Sequence, residues 1–205
     1  MNDKQFTPPL FISHSMTITT VQSEADIQGI LTLQRANLRQ NISAEVQANQ
    51  GFVTVEHDPA VLTRMNRAAP SIIAKDGETV VGYCLTMLPE FGTDIPELAT
   101  LFTAIDTLIY TGRPVREYTY YVMGQVCVAD GYRGQQLFDR MYEHHQNTYG
   151  DRYQLLIADI SEKNIRSLRA HARVGFEPLH SFHNPDLDET WVVVVWDWQK
   201  QEAHS

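Results

Sequence analysis

Apolar residues recur along this chain at two periods, and the switches between them mark out its elements. Alternating β-branched residues over 16–21 predict a strand. Behind Ser23, a residue type suited to a helix N-cap, Ile27, Ile30, Leu31, Leu33 and Leu38 fall near helical spacing and predict a helix over 24–38. The stretch 41–70 is less regular: 44–50 and 59–69 read as short helices, and 51–55 as a strand or extended loop of the kind that shapes a substrate cleft. Apolar runs at 71–75 and 79–88 flank Asp76-Gly77, a dipeptide that tolerates positive φ, and predict an antiparallel hairpin. Leu98, Leu101, Phe102, Ile105 and Leu108 predict a helix over 95–108 lying on the sheet. The pattern then reads strand (117–128), helix (134–148), strand (153–160), helix (163–174) and two strands near 178–182 and 189–196. Strands alternating with helices and closing on a hairpin predict an α/β (α+β) fold, with a mixed, mostly antiparallel central sheet and helices on both faces.

At 205 residues, with no Pro/Gly/Ser-rich tract to divide it, the chain is expected to form one domain over 16–198, with 1–15 a flexible lead-in and 199–205 a tail. Lys and Arg total 16 against 25 for Asp and Glu, a net charge of -9 that opposes nucleic-acid binding. The same acidity suits a cationic amine partner, or simply solubility. Cys84 and Cys127 lie inside apolar runs and form no CxxC pair, which suits a reducing cytoplasm. Residues 1–15 lack the order of a signal peptide, and the apolar run 191–196 is too short to span a bilayer, so a cytoplasmic location with no membrane partner is expected. His144-His145 and His180-x-x-His183 have no Cys or carboxylate completing a ligand spacing, and no metal is expected.

The chemistry concentrates in 120–137. An apolar strand ends in Val126-Cys127-Val128 and runs directly into Ala129-Asp130-Gly131-Tyr132-Arg133-Gly134-Gln135-Gln136-Leu137. A strand that breaks into a glycine-containing turn and restarts as a helix presents unpaired N–H groups at the helix mouth, where the backbone dipole also favours negative charge. Taken alone, two glycines do no more than end a strand. Leu137, Met141 and His145, however, form a helical stripe, so a buried helix begins where an anion site needs one. After the next strand comes a second block, Ser161-Glu162-Lys163-Asn164, then Ser167, His171 and Gly175-Phe176. Asn164 and His171 lie about 20° from a whole number of turns apart and share a helix face.

The order and spacing of these blocks resemble the GNAT superfamily of N-acetyltransferases, over about 120–176. The resemblance implies a splayed central strand pair, with Val126, Cys127 and Val128 pairing with the pantetheine amides of acetyl-CoA or another short acyl-CoA. It implies that Tyr132, Arg133, Gly134, Gln135, Gln136 and Leu137 hold the pyrophosphate, and that Asn164, Ser167 and His171 complete the cofactor contacts. The family's loop reads Arg or Gln, two residues, Gly, one residue, then Gly or Ala; here Gln136 replaces the glycine and Phe138 the small residue. Where many members carry a Tyr that protonates the departing thiolate this chain has His171, a candidate general acid with a hydrogen-bonding wall as the other reading. Asn164 is equally open to a helix-capping role.

The implied activity is acetyl transfer to a small-molecule or peptide amine by direct attack in a ternary complex, with a backbone N–H near Val126 polarising the thioester carbonyl. Glu90, Asp94, Glu97 and Glu117 are candidate bases or amine-orienting groups, with Glu90 and Glu117 the two expected beside an acceptor entrance near 88–94 and 117–121, and part of 41–70 as a wall. The alternative is a noncatalytic acyl-CoA-binding or sensing module, carried by Gln136, Phe138 and His171. Trp191, Trp196 and Trp198 read as core or as a homodimer surface, and Tyr118, Tyr120 and Tyr121 as packing or the lining of an acceptor tunnel.

Overall fold

In the computed structural model, which describes residues 16–185 and 187–202, the chain folds in the order β1 (Met16–Thr20), α1 (Glu24–Asn37), α2 (Ala44–Gln50), α3 (Pro59–Ala68), β2 (Ile72–Asp76), β3 (Thr79–Met87) and α4 (Ala99–Thr107). A two-residue pair, β4 (Ile109–Tyr110) and β5 (Arg113–Pro114), leads to β6 (Tyr120–Val128), α5 (Leu137–Tyr149), β7 (Leu155–Ser161), α6 (Ile165–Val174), β8 (Glu177–Asn184), β9 (Glu189–Asp197) and α7 (Gln199–Glu202). The expected lead-in 1–15 and the last residues 203–205 lie outside the described residues. Among the described residues, no helix is long and apolar enough to cross a membrane.

Local chemistry accounts for most boundaries. Ser23 accepts from the Asp26 N–H at 3.2 Å while the Asp26 carboxylate accepts from the Ser23 N–H at 3.1 Å, a capping box that starts α1. The helix expected over 95–108 is split, because Pro96 opens a 3-10 turn (Pro96–Leu98) and α4 begins only at Ala99. The strand expected from 117 begins at Tyr120, since Val115–Glu117 closes a 3-10 turn instead. The expected tail carries the short helix α7, and before it Trp198 is buried, with its N–H bonded to Gln154 O at 3.1 Å.

Seven strands form one sheet in the order β1-β2-β3-β6-β7-β9-β8, antiparallel throughout except for the parallel pair β6–β7. Alternate residues of β7 go to opposite cores. Leu156, Ala158 and Ile160 pack with Met141 and Tyr142 of α5, whereas Leu155 and Ile157 pack with Leu101 and Ile105 of α4. On α1, Ile27, Ile30 and Leu31 cover Ile73, Tyr83 and Leu85 beside Leu62 of α3. Helices thus lie on both faces, as the pattern predicts.

The feature that positions the site is a gap in this sheet. β6 and β7 are paired only from Tyr120↔Leu155 to Val122↔Ile157; beyond that, β6 stays with β3 as far as Val128 and β7 stays with β9 as far as Ser161. Opposite β3, Cys84 pairs with Val126 but Thr86 pairs with Met123, so β6 carries one extra residue at Gly124-Gln125. Such a bulge bends the strand that carries it. Gln125 holds it in place, accepting from the Tyr83 hydroxyl at 2.6 Å and from Gln34 Nε2 at 2.7 Å, and donating to Val55 O at 2.9 Å.

Candidate active site

Two connected spaces open along the β6–β7 gap. The first is a groove of about 680 Å³. It is lined by Val126, Cys127 and Val128 at the free strand edge, by Tyr132, Arg133, Gly134, Gln136 and Leu137 of the following loop, and by Asn164 and Ser167 of the second block. The loop turns on three residues with positive φ, Gly131 (82°), Gly134 (78°) and Gln136 (60°). Gln136 therefore adopts the left-handed conformation that its family position implies, although it is not glycine, at a cost of about 1–2 kcal/mol. As N-cap of α5 it supplies no side-chain hydrogen bond, so the first-turn N–H groups gain no side-chain cap.

Side chains brace this loop from behind. Tyr132 donates to Asp76 Oδ2 at 2.8 Å, and Arg133 donates to Val128 O at 3.1 Å and to Asn37 Oδ1 at 2.9 Å, tying the strand end to α1. Arg166, Arg169 and Arg173 line the same groove from one side of α6, and Arg173 pairs with Asp139 at 2.8 Å. A groove with this many cations in a chain of net charge -9 is a local reversal of sign suited to phosphate.

The second space, a cavity of about 190 Å³, shares Phe52, Val53, Val126, Asn164 and Ser167 with the groove. Its walls are the bulge (Met123, Gly124, Gln125), the unpaired end of β7 (Ala158, Asp159, Ile160, Ser161), the strap Phe52, Val53, Thr54, Val55, and Glu97, Leu98 and Trp191. The strap is pinned across the gap from both sides. Arg39 pairs at 2.8 Å with Glu189, whose side chain is fully buried and also accepts from the Ser161 hydroxyl. Burial opposes the Glu189 charge, but the hydrogen bonds from Ser161 and Arg39 outweigh it and hold the carboxyl below its ordinary value. At Gly51 (φ 78°) the strap passes so close to α6 that a Cβ would stand 3.1 Å from Asn164 Oδ1.

Asp159 faces this cavity from β7, half-buried, and burial pushes its carboxyl up to about 7. His171 also lines the cavity although it is only 1% exposed, and it is ringed by Phe138, Tyr142 and Phe176 at centroid distances of 5.2, 5.4 and 5.0 Å. Its Nδ1–H donates to Ser167 O at 2.8 Å, which leaves Nε2 to accept from the Tyr142 hydroxyl at 2.6 Å. Burial lowers its pKa to about 4, so the ring is neutral near pH 7.

Several expectations need correction against this geometry. The acid role expected of His171 does not suit a neutral ring whose two nitrogens are already engaged. Glu90 and Glu117 are exposed, line neither space, and sit beyond the closed end of the gap, where β6 begins at Tyr120; Glu117 instead lies 3.7 Å from Arg113. None of 88–94 or 117–121, where an entrance is expected, lines either space, although 52–55 does supply a wall. Gln135 turns out of the groove to bond Gly131 O at 3.1 Å. Asn164 caps α6, accepting from the Ser167 N–H at 3.2 Å, and lines both spaces as well. Tyr121 is core, bonded to the buried His145 at 3.0 Å.

Sequence reasoning missed Asp159, the α6 arginines and the place of Trp191. Asp159 carried a readable signal, being a lone charge inside the apolar run 155–160, where strands disfavour Asp. The arginines were readable as a row at helical spacing.

No family model and no curated protein matches this sequence. Solved structures do match in fold. A ribosomal-protein-alanine N-acetyltransferase from Brucella melitensis is 18% identical, with a TM-score of 0.58 over 88% of this chain and 99% of that one. A putative acetyltransferase from Salmonella typhimurium, solved with its cofactor acetyl-CoA, is 15% identical, with a TM-score of 0.58 over 89% and 94%. The ribosomal-protein-S18-alanine N-acetyltransferase from Escherichia coli is 9% identical, with a TM-score of 0.57 over 89% and 94%. The fold of this chain is the one that GNAT N-acetyltransferases share.

Proposed function

We propose that this protein is an acyl-CoA-dependent N-acetyltransferase, with acetyl-CoA in the groove and an amine in the cavity. The observation that carries this reading is the opened β6–β7 gap, where a free strand edge and an uncapped helix mouth adjoin a cavity bearing a carboxylate that titrates near neutrality. The edge of Val126, Cys127 and Val128 offers backbone groups to the pantetheine amides. The loop N–H groups with Arg166 and Arg169 face the phosphates.

An amine arrives protonated and must lose a proton before it can attack. Asp159, with a pKa of about 7, holds an ionised fraction at neutral pH and a matched affinity for that proton. The freed nitrogen adds to the thioester carbonyl carbon, and a backbone N–H near Val126 stabilises the oxyanion. The C–S bond then breaks, and the thiolate takes the second proton from the former amine nitrogen, directly or through water. His171 serves as a wall that fixes Tyr142 and the start of α6.

Thiol release from acetyl-CoA tests this, measured against a panel of amines. Amine-dependent release that falls at least 100-fold in Asp159→Asn, with acetyl-CoA affinity kept, supports the reading. Release unchanged in that variant would remove Asp159 from the reaction. Acetyl-CoA binding with no turnover of any amine would favour the binding-module alternative, for which Phe138 and His171 remain the departures; Gln136 no longer argues for it, since its backbone takes the left-handed turn.

A further inference from the structure

The lining of the cavity restricts what the amine can be, on the premise of the acetyl-transfer reading. An apolar cavity of roughly 150 Å³ holds one benzene ring, and sites for drug-sized ligands start near ~300 Å³. At about 190 Å³, this one holds a single ring with a short arm. Phe52, Leu98, Met123 and Trp191 give it flat and apolar walls suited to such a ring.

Charge narrows the choice further. Asp159 and Glu97 line the cavity, and among the described residues no lysine or arginine does. The nearby Arg39 is taken up by Glu189 at 2.8 Å. A substrate carboxylate or phosphate would be stripped of water beside Asp159 with no cation to receive it, which is discrimination by repulsion.

We propose that the acceptor is a small primary amine carried on a single apolar ring, with no carboxylate or phosphate. The amine points to Asp159 and the ring lies against Phe52 and Trp191.

The test uses the whole chain with acetyl-CoA and five probes: tyramine, phenethylamine, tyrosine, spermidine and an alanine-led tripeptide. Tyramine is expected to exceed tyrosine, its carboxylate-bearing counterpart, by at least about 50-fold in kcat/KM, and to exceed spermidine and the tripeptide similarly. Phenethylamine, which has the same ring and arm, should turn over within about fivefold of tyramine. Equal or faster turnover of tyrosine, spermidine or the tripeptide overturns the proposal while leaving acetyl transfer standing. Calorimetric titration with acetyl-CoA alone separates the two levels, since failure to bind it sinks the acetyl-transfer reading and this proposal together. If acetyl-CoA binds but no probe turns over, tyramine is titrated into the acetyl-CoA complex, and absence of binding overturns the proposal.

Discussion

The groove and the cavity meet at Phe52, Val53, Val126, Asn164 and Ser167 yet are built in opposite ways. Most of the groove comes from two short runs, 126–139 and 164–173, and the direction of its loop N–H groups follows from local turns at Gly131, Gly134 and Gln136. The cavity is gathered from segments scattered between Phe52 and Trp191, and its working groups are side chains brought together only by the sheet. Their charges are opposed as well, with arginines along the groove and carboxylates in the cavity. A site made of backbone conformation can be encoded by a motif, whereas a side-chain constellation depends on tertiary placement.

The largest expected effect falls on the cavity alone. Asp159→Asn should lower kcat/KM by about 10²–10⁴-fold and leave the acetyl-CoA Kd within about twofold, measured by thiol release and calorimetry. In the proposed mechanism the ionised carboxylate takes the proton, so the wild-type rate should fall as pH drops below about 7, and the Asn variant should lack that limb. Stability carries the opposite signature. A raised folded-state pKa gives stability that is present below the ordinary value of 3.8 and lost as pH rises through about 7, so Asp159→Asn should melt higher than wild type at pH 8.

The groove is broken separately by removing its charge. Replacing Arg166 and Arg169 together by Gln should raise the acetyl-CoA Kd about tenfold at low salt, with less effect at high salt and kcat at saturation little changed. Loss of kcat at unchanged Kd would reverse the roles assigned to the two spaces.

His171 sharpens the comparison because the sequence and the structure assign it differently. His171→Phe leaves the Tyr142 hydroxyl without its acceptor, and should cost about 1–3 kcal/mol of stability in a denaturation curve. Turnover per folded molecule should stay within about threefold, against a loss of 100-fold or more for an essential acid. The smallest effect is expected at Gln136. Gln136→Gly should raise stability by about 1 kcal/mol by relieving the left-handed strain, with acetyl-CoA affinity unchanged.

The fold was largely legible because its elements announce themselves locally: Ser23 with Asp26 closes a capping box, and Asp76-Gly77 turns a hairpin. The helix over 95–108 failed in its first turn because spacing outweighed Pro96 in the reading. Groove residues were legible through Gly131 and Gly134, whose positive φ reflects a turn chemistry visible in sequence. The base was not. Glu90 and Glu117 attract notice as acids in loops, yet only the strand register shows that they stand at the closed end of the gap and that Asp159 stands at the open one. His171 misled for a related reason: its helix face was right, but burial among Phe138, Tyr142 and Phe176 sets its charge state, and burial is a property of the packed molecule.

The central claim is that the β6–β7 gap is an acyl-CoA site, and titration of acetyl-CoA into the folded protein with no amine present tests it most directly. The account predicts saturable binding of one acetyl-CoA per chain, competed by CoA and accompanied by a rise in melting temperature that grows with ligand concentration. No heat and no melting shift at millimolar acetyl-CoA, in protein whose circular dichroism shows it folded, would contradict it.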